Sequence, residues 1–153
     1  MIDEDTFLAA FKSVTADIHS TARNKGWWEP DPVLEDAANN LIGLAAKYPD
    51  GSDEAMKIAS LADKVLTKAW ERNDSELIAL MHSELSEALE ALRHGNPPDD
   101  KIPEFSGVEA ELADVIIRIL DMAGAHGLRI GEAILAKMEM NKTRAYRHGN
   151  KKF

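Results

Sequence analysis

Residues 75–126 read SELIALMHSELSEALEALRHGNPPDDKIPEFSGVEAELADVIIRILDMAGAH, and this stretch decides the fold. In its first part Leu77, Ile78, Met81, Leu85, Ala88, Leu89 and Leu92 recur three or four residues apart, the period of a helix with one apolar face. In its second part Val108, Leu112, Val115, Ile116, Ile119 and Ala123 do the same. Asn73-Asp-Ser-Glu76 and Ser106-Gly-Val-Glu109 each have the form of a capping box, which satisfies amides that open a helix. Gly95-Asn-Pro-Pro stops the first helix, because proline lacks the N–H that would continue it, and Gly127 stops the second. With about a dozen residues between them, the two helices are expected to fold back as an antiparallel hairpin.

The same period runs outward in both directions. Phe7, Leu8, Phe11, Val14, Ile18 and Ala22 mark a first helix that Gly26 and Pro30 end. Asp31-Pro32 supplies an N-cap followed by proline at the first helical position. A second stripe follows in Val33, Leu34, Ala37, Ala38, Leu41, Ile42 and Ala45. After the turn Tyr48-Pro-Asp-Gly-Ser, a third helix places Ala55, Ala59, Ala62, Val65, Leu66 and Ala69 inward. A short sixth helix runs from about Gly131 to Asn141. No segment alternates with period 2, so the expectation is an all-α protein, a helix bundle of five to six helices. One domain covering 1–153 is expected, with a basic C-terminal tail over 138–153.

Composition narrows the function. There is no cysteine among 153 residues, which excludes disulfides, thiolate zinc sites and thiol nucleophiles. The N-terminus has no basic and apolar signal pattern, and no apolar run approaches the length of a membrane helix, so a cytoplasmic protein without membrane attachment is expected. A net charge of −9 argues against nucleic acid as a partner. From Lys137 onward, however, six basic residues (Lys137, Lys142, Arg144, Arg147, Lys151, Lys152) meet one acid, Glu139, and leave the preceding 136 residues at −14. Such a tail either meets an anionic ligand or is simply solvated.

Four acids carry the chemistry. Glu84 and Glu87 lie one turn apart on the flank of the fourth helix's apolar stripe, and Glu111 and Asp114 have the same relation on the fifth. At roughly 1.5 Å of rise per residue both pairs stand on the order of 10 Å from the connecting loop, so a hairpin sets them at one height. Four converging carboxylates repel one another, and a hard divalent cation removes the conflict. Magnesium, or manganese in its place, favours carboxylate oxygens and accepts phosphate oxygens as further ligands. The competing reading is an ordinary solvated face. A di-iron centre built on Glu-x-x-His is excluded: alanine stands three residues before every histidine (Ala16, Ala79, Ala91, Ala123, Ala145). No Walker-type phosphate loop is present.

The motif Glu84-Leu-Ser-Glu87, 23 residues, Glu111-Leu-Ala-Asp114 resembles that of the MazG-like all-α nucleoside triphosphate pyrophosphohydrolases, relatives of the dimeric dUTPases. The flanks HSELSEALEALRHG, VEAELADVIIRILDMAG and EAILAKMEMNKTRAYRHG are similar too, from about Ser75 to Gly149, and HSTARNKGWW resembles a segment of the nucleotide pocket in such proteins. The resemblance implies the MazG-like all-α fold and cleavage of a nucleoside triphosphate between its α- and β-phosphates, with a preference for deoxynucleotides in nucleotide-pool house-cleaning. It implies Glu84, Glu87, Glu111 and Asp114 as metal ligands and catalytic residues, with one carboxylate, Glu84 or Glu87, orienting or deprotonating water. Some relatives carry a further glutamate where Ser83 stands here, which bears on the number of metals.

By the same resemblance Lys137, Asn141 and Lys142 match phosphate contacts, with Arg144, Tyr146 and Arg147 following; an ordinary surface role is the alternative. Trp27 and Trp28 are adjacent, so their side chains diverge; one enters the core and the other stacks on a base or packs against a partner, with plain core packing as the alternative. His19 reads as a surface or core-edge histidine, and Arg118, one turn beyond Asp114, as a counter-charge to an acid. Apolar positions expected at the surface (Leu80, Ile117 and one of the tryptophans) imply a homodimer or a dimer of dimers. A phosphoribosyl-ATP pyrophosphohydrolase-like enzyme and a non-catalytic helical interaction module are the alternatives.

Overall fold

The computed structural model describes residues 3–145. Tyr146, Arg147, Lys151 and Lys152 of the expected basic tail lie outside them. Six helices follow in order: α1 (Glu4–Asn24), α2 (Pro32–Ala45), α3 (Asp53–Ala69), α4 (Asp74–Arg93), α5 (Gly107–His126) and α6 (Ile130–Lys142). The protein is all-α, with no strand among the described residues.

Local chemistry sets the boundaries. Asp3 opens α1 by accepting from the Thr6 backbone N–H at 3.0 Å and the Thr6 hydroxyl at 2.6 Å. These bonds hold its carboxyl below the ordinary carboxylate range, the hydroxyl most of all. Asp31 caps α2, taking the Val33 and Leu34 amides on one oxygen, with Pro32 at the helix start as expected. Ser52 caps α3 through the Ala55 amide. At α4, Asn73 accepts from the Ser75 amide at 3.0 Å. The Ser106–Glu109 capping box is present in both directions, and Gly127 closes α5 in the left-handed conformation at φ 62°, where a side chain would be strained.

The chain clusters into two compact units: one joins the residues up to Thr21 with those from Leu77 onward, and the other spans Ala22–Glu76. In the second unit α2 and α3 pair around buried Ala38, Ala62 and Ala69, and the Asp31 amide donates to the Ala69 carbonyl at 2.8 Å.

In the first unit α4 and α5 run antiparallel, as expected. Glu84 bonds Arg118 near the middle of each helix, while Ala91 lies against Gly107 near the connecting loop. That loop has its own ladder: the Asp99 amide donates to Phe105, the Gly107 amide to Pro97, and the Asn96 side chain accepts from Val108. α1 crosses α5 closely enough that a Cβ on Gly124 would stand 2.6 Å from that of His19, and Gly131 of α6 lies against Leu8 and Phe11.

The face that α4 turns inward differs from expectation. Leu77, Glu84 and Ala88 are buried, while Ile78, Leu85, Leu89 and Leu92 are 45% to 57% exposed. On α5 the buried residues are Ala110, Leu120, Asp121 and Ala123, and Leu112 and Ile116 are exposed rather than inward. Leu80, expected at the surface, is half-buried, whereas Ile117 is exposed. The physical reason is the Glu84–Arg118 pair: a carboxylate with a guanidinium opposite it can occupy the inner face and displace the branched side chains from it.

Candidate metal centre

The acid-bearing turns face each other because the hairpin is antiparallel and the spacing from the loop matches on its two sides. Glu84, Glu111 and Asp114 each present a carboxylate oxygen within 4.8 Å of the others. Glu84 is buried, Glu111 half-buried and Asp114 exposed, so the cluster opens from the interior of the hairpin to solvent. Glu87, the fourth expected ligand, is exposed and outside this set, though its charge acts on Glu111.

The electrostatics match the geometry. The Glu111 carboxyl is held above the ordinary glutamate range. Burial is the largest cause, followed by the hydrogen bond with Glu84 and the negative charges of Glu87, Glu84 and Asp114. An all-oxygen donor set of this kind, charged and open on one side, fits a hard divalent cation such as magnesium or manganese.

Arg118 does what its position implied. Its Nε donates to Glu84 Oε1 at 2.5 Å, and its NH2 group pairs with the same oxygen. Not foreseen was the pair next along α5: His19 Nδ1 of α1 meets Asp121 Oδ1 at 2.8 Å, with both side chains largely buried. An acid inside the apolar run Ile119-Leu-Asp-Met-Ala, one turn past Arg118, was the available signal.

The remaining expected residues are placed as follows. Lys137 and Asn141 are exposed on α6, four residues apart. Lys142 pairs with Glu139 at 2.5 Å, a surface ion pair within one helix, and Arg144 is exposed just beyond α6. Trp27 and Trp28 belong to the second unit. Trp27 is half exposed, while Trp28 is more buried and carries the Arg72 guanidinium 5.5 Å from its ring centre. No helix among the described residues is long and apolar enough to cross a membrane.

No protein-family model matches the chain, and comparison with curated proteins and with solved structures finds no similar protein.

Proposed function

We propose that this protein is a magnesium-dependent nucleoside triphosphate pyrophosphohydrolase, cleaving between the α- and β-phosphates to a nucleoside monophosphate and pyrophosphate. The observation that carries the reading is the convergence of Glu84, Glu111 and Asp114 within 4.8 Å across two antiparallel helices. The resemblance of the Glu84–Asp114 motif to MazG-like enzymes supplies the reaction type, and deoxynucleotides in pool house-cleaning are the substrates it favours.

Glu84, Glu111 and Asp114 would hold the cation, and Glu87 would add charge at the rim. A bound magnesium ion would offset phosphate charge and acidify water. One carboxylate of the cluster would orient or deprotonate the attacking water. Lys137, Asn141 and Arg144 would meet phosphate oxygens, as flexible exposed donors do.

The active form in this reading is a homodimer or a dimer of dimers. Among the described residues no large side chain is fully buried, and most of the buried apolar groups are alanines. Ile78, Leu85, Leu89 and Leu92, spaced seven, four and three residues apart, form one exposed apolar face of α4. That is the seam a second helix hairpin covers.

A non-catalytic interaction module has one observation in its favour: Arg118 already provides a counter-charge for Glu84. Pyrophosphate release measured with and without magnesium separates the two readings, and phosphoribosyl-ATP in the substrate panel separates the two enzyme classes.

A further inference from the structure

Arg118 grips a single oxygen of Glu84 with two nitrogens, Nε at 2.5 Å and NH2 beside it. The Glu84 side chain is 8% exposed and that of Arg118 24%, so the carboxylate is buried and the guanidinium half-buried. A glutamate side chain has several rotatable bonds, and a planar guanidinium restricts it far more than a point charge does. The ligand atom of the same carboxylate converges with those of Glu111 and Asp114. α5 therefore supplies two acids of the cluster and, one turn later, the group that grips the third.

We propose that Arg118 is a positioning residue of the metal centre: its guanidinium aims the Glu84 carboxylate at Glu111 and Asp114. This rests on the metal reading above and goes beyond charge compensation. Two effects oppose each other. The positive charge of Arg118 repels an incoming cation, while its grip presents a ligand already oriented. Exchanging arginine for lysine keeps the first effect and removes the second, so Arg118→Lys isolates orientation.

The test is manganese binding followed by paramagnetic resonance, with circular dichroism to verify folding. Arg118→Lys should bind manganese about tenfold more weakly than the wild type, the usual loss when the partner that orients a ligand is changed. In a Glu84→Gln background the same exchange should cost nothing further, since no carboxylate remains to be aimed. Wild-type affinity in Arg118→Lys overturns the proposal, as does an equal loss in both backgrounds. In the unaltered protein, the Arg118 Nε–H resonance should stay protected from solvent exchange when magnesium is added; its release also overturns the proposal. Failure of the wild type to bind manganese would instead remove the metal centre itself, and the positioning role with it.

Discussion

His19 on α1 and Asp121 on α5 meet at 2.8 Å where the two helices cross, and both side chains are largely withdrawn from solvent. The pair ties the first helix to the one that carries Glu111 and Asp114. Replacing Asp121 with alanine removes the group that faces His19 Nδ1. Losing this largely shielded hydrogen bond costs about 0.5–1.5 kcal/mol, which urea unfolding should register as a lower midpoint with an unchanged slope. An unchanged midpoint would mean that the pair contributes nothing to the crossing.

The crossing also predicts opposite outcomes for the same substitution at two glycines. At Gly124 an added Cβ would stand 2.6 Å from the Cβ of His19, and neither backbone can easily yield. Gly124→Ala should destabilise by roughly 1–3 kcal/mol, the usual range for overpacking. At Gly43, inside α2, nothing lies within 4 Å of the added atom. Gly43→Ala should stabilise by about 0.5–1 kcal/mol, the helix propensity difference alone. Thermal melts of the two variants check both signs.

Glu111 predicts a pH dependence. Its folded-state pKa lies above the ordinary glutamate value, first because of burial and then because of Glu84 and the neighbouring charges. A raised folded pKa means that the folded state holds the proton more tightly. Its favourable contribution is complete below the unfolded pKa and is lost as pH rises through the folded one. Without metal, Glu111→Gln should therefore melt above the wild type, by a margin that grows as pH rises through that window. Saturating magnesium should reverse the ranking, because only the wild type keeps all three ligands. Melts in chelator and in magnesium across pH 4 to 8 measure both.

The exposed face of α4 predicts the response to a single charge. Leu89 lies in the middle of the Ile78–Leu92 seam and is 48% exposed. Leu89→Glu should convert a species of at least twice the 16.9 kDa chain mass into monomers, without loss of helix content. Light scattering coupled to chromatography reads the mass. A wild type already at 16.9 kDa would show that this face has no second copy on it.

The helix boundaries were legible because single residues carry them: Asp31-Pro32 opens α2, Ser106 with Glu109 opens α5, and Gly127 closes it. The meeting of the two acid-bearing turns was legible for a similar reason, since equal distances from one loop place residues at one height in an antiparallel hairpin. The rotation of α4 was not legible. That helix has two apolar lines, one through Leu77, Met81 and Ala88 and one through Ile78, Leu85 and Leu89. Periodicity gives both lines the same weight. The choice between them depends on a guanidinium 34 residues away that makes burial of Glu84 affordable. His19 and Asp121 were hidden in the same way, because their partnership spans 102 residues.

The most direct measurement is the fate of oxygen during turnover. A panel of deoxynucleoside triphosphates, with phosphoribosyl-ATP included, is incubated with the protein and magnesium in water enriched in the heavy oxygen isotope. The prediction is one pyrophosphate per monophosphate, with the label in the monophosphate, and loss of turnover both in excess chelator and in Asp114→Ala. Release of single phosphate, label in the pyrophosphate, or full activity in either control would contradict hydrolysis at the α-phosphorus by a metal held on Glu84, Glu111 and Asp114.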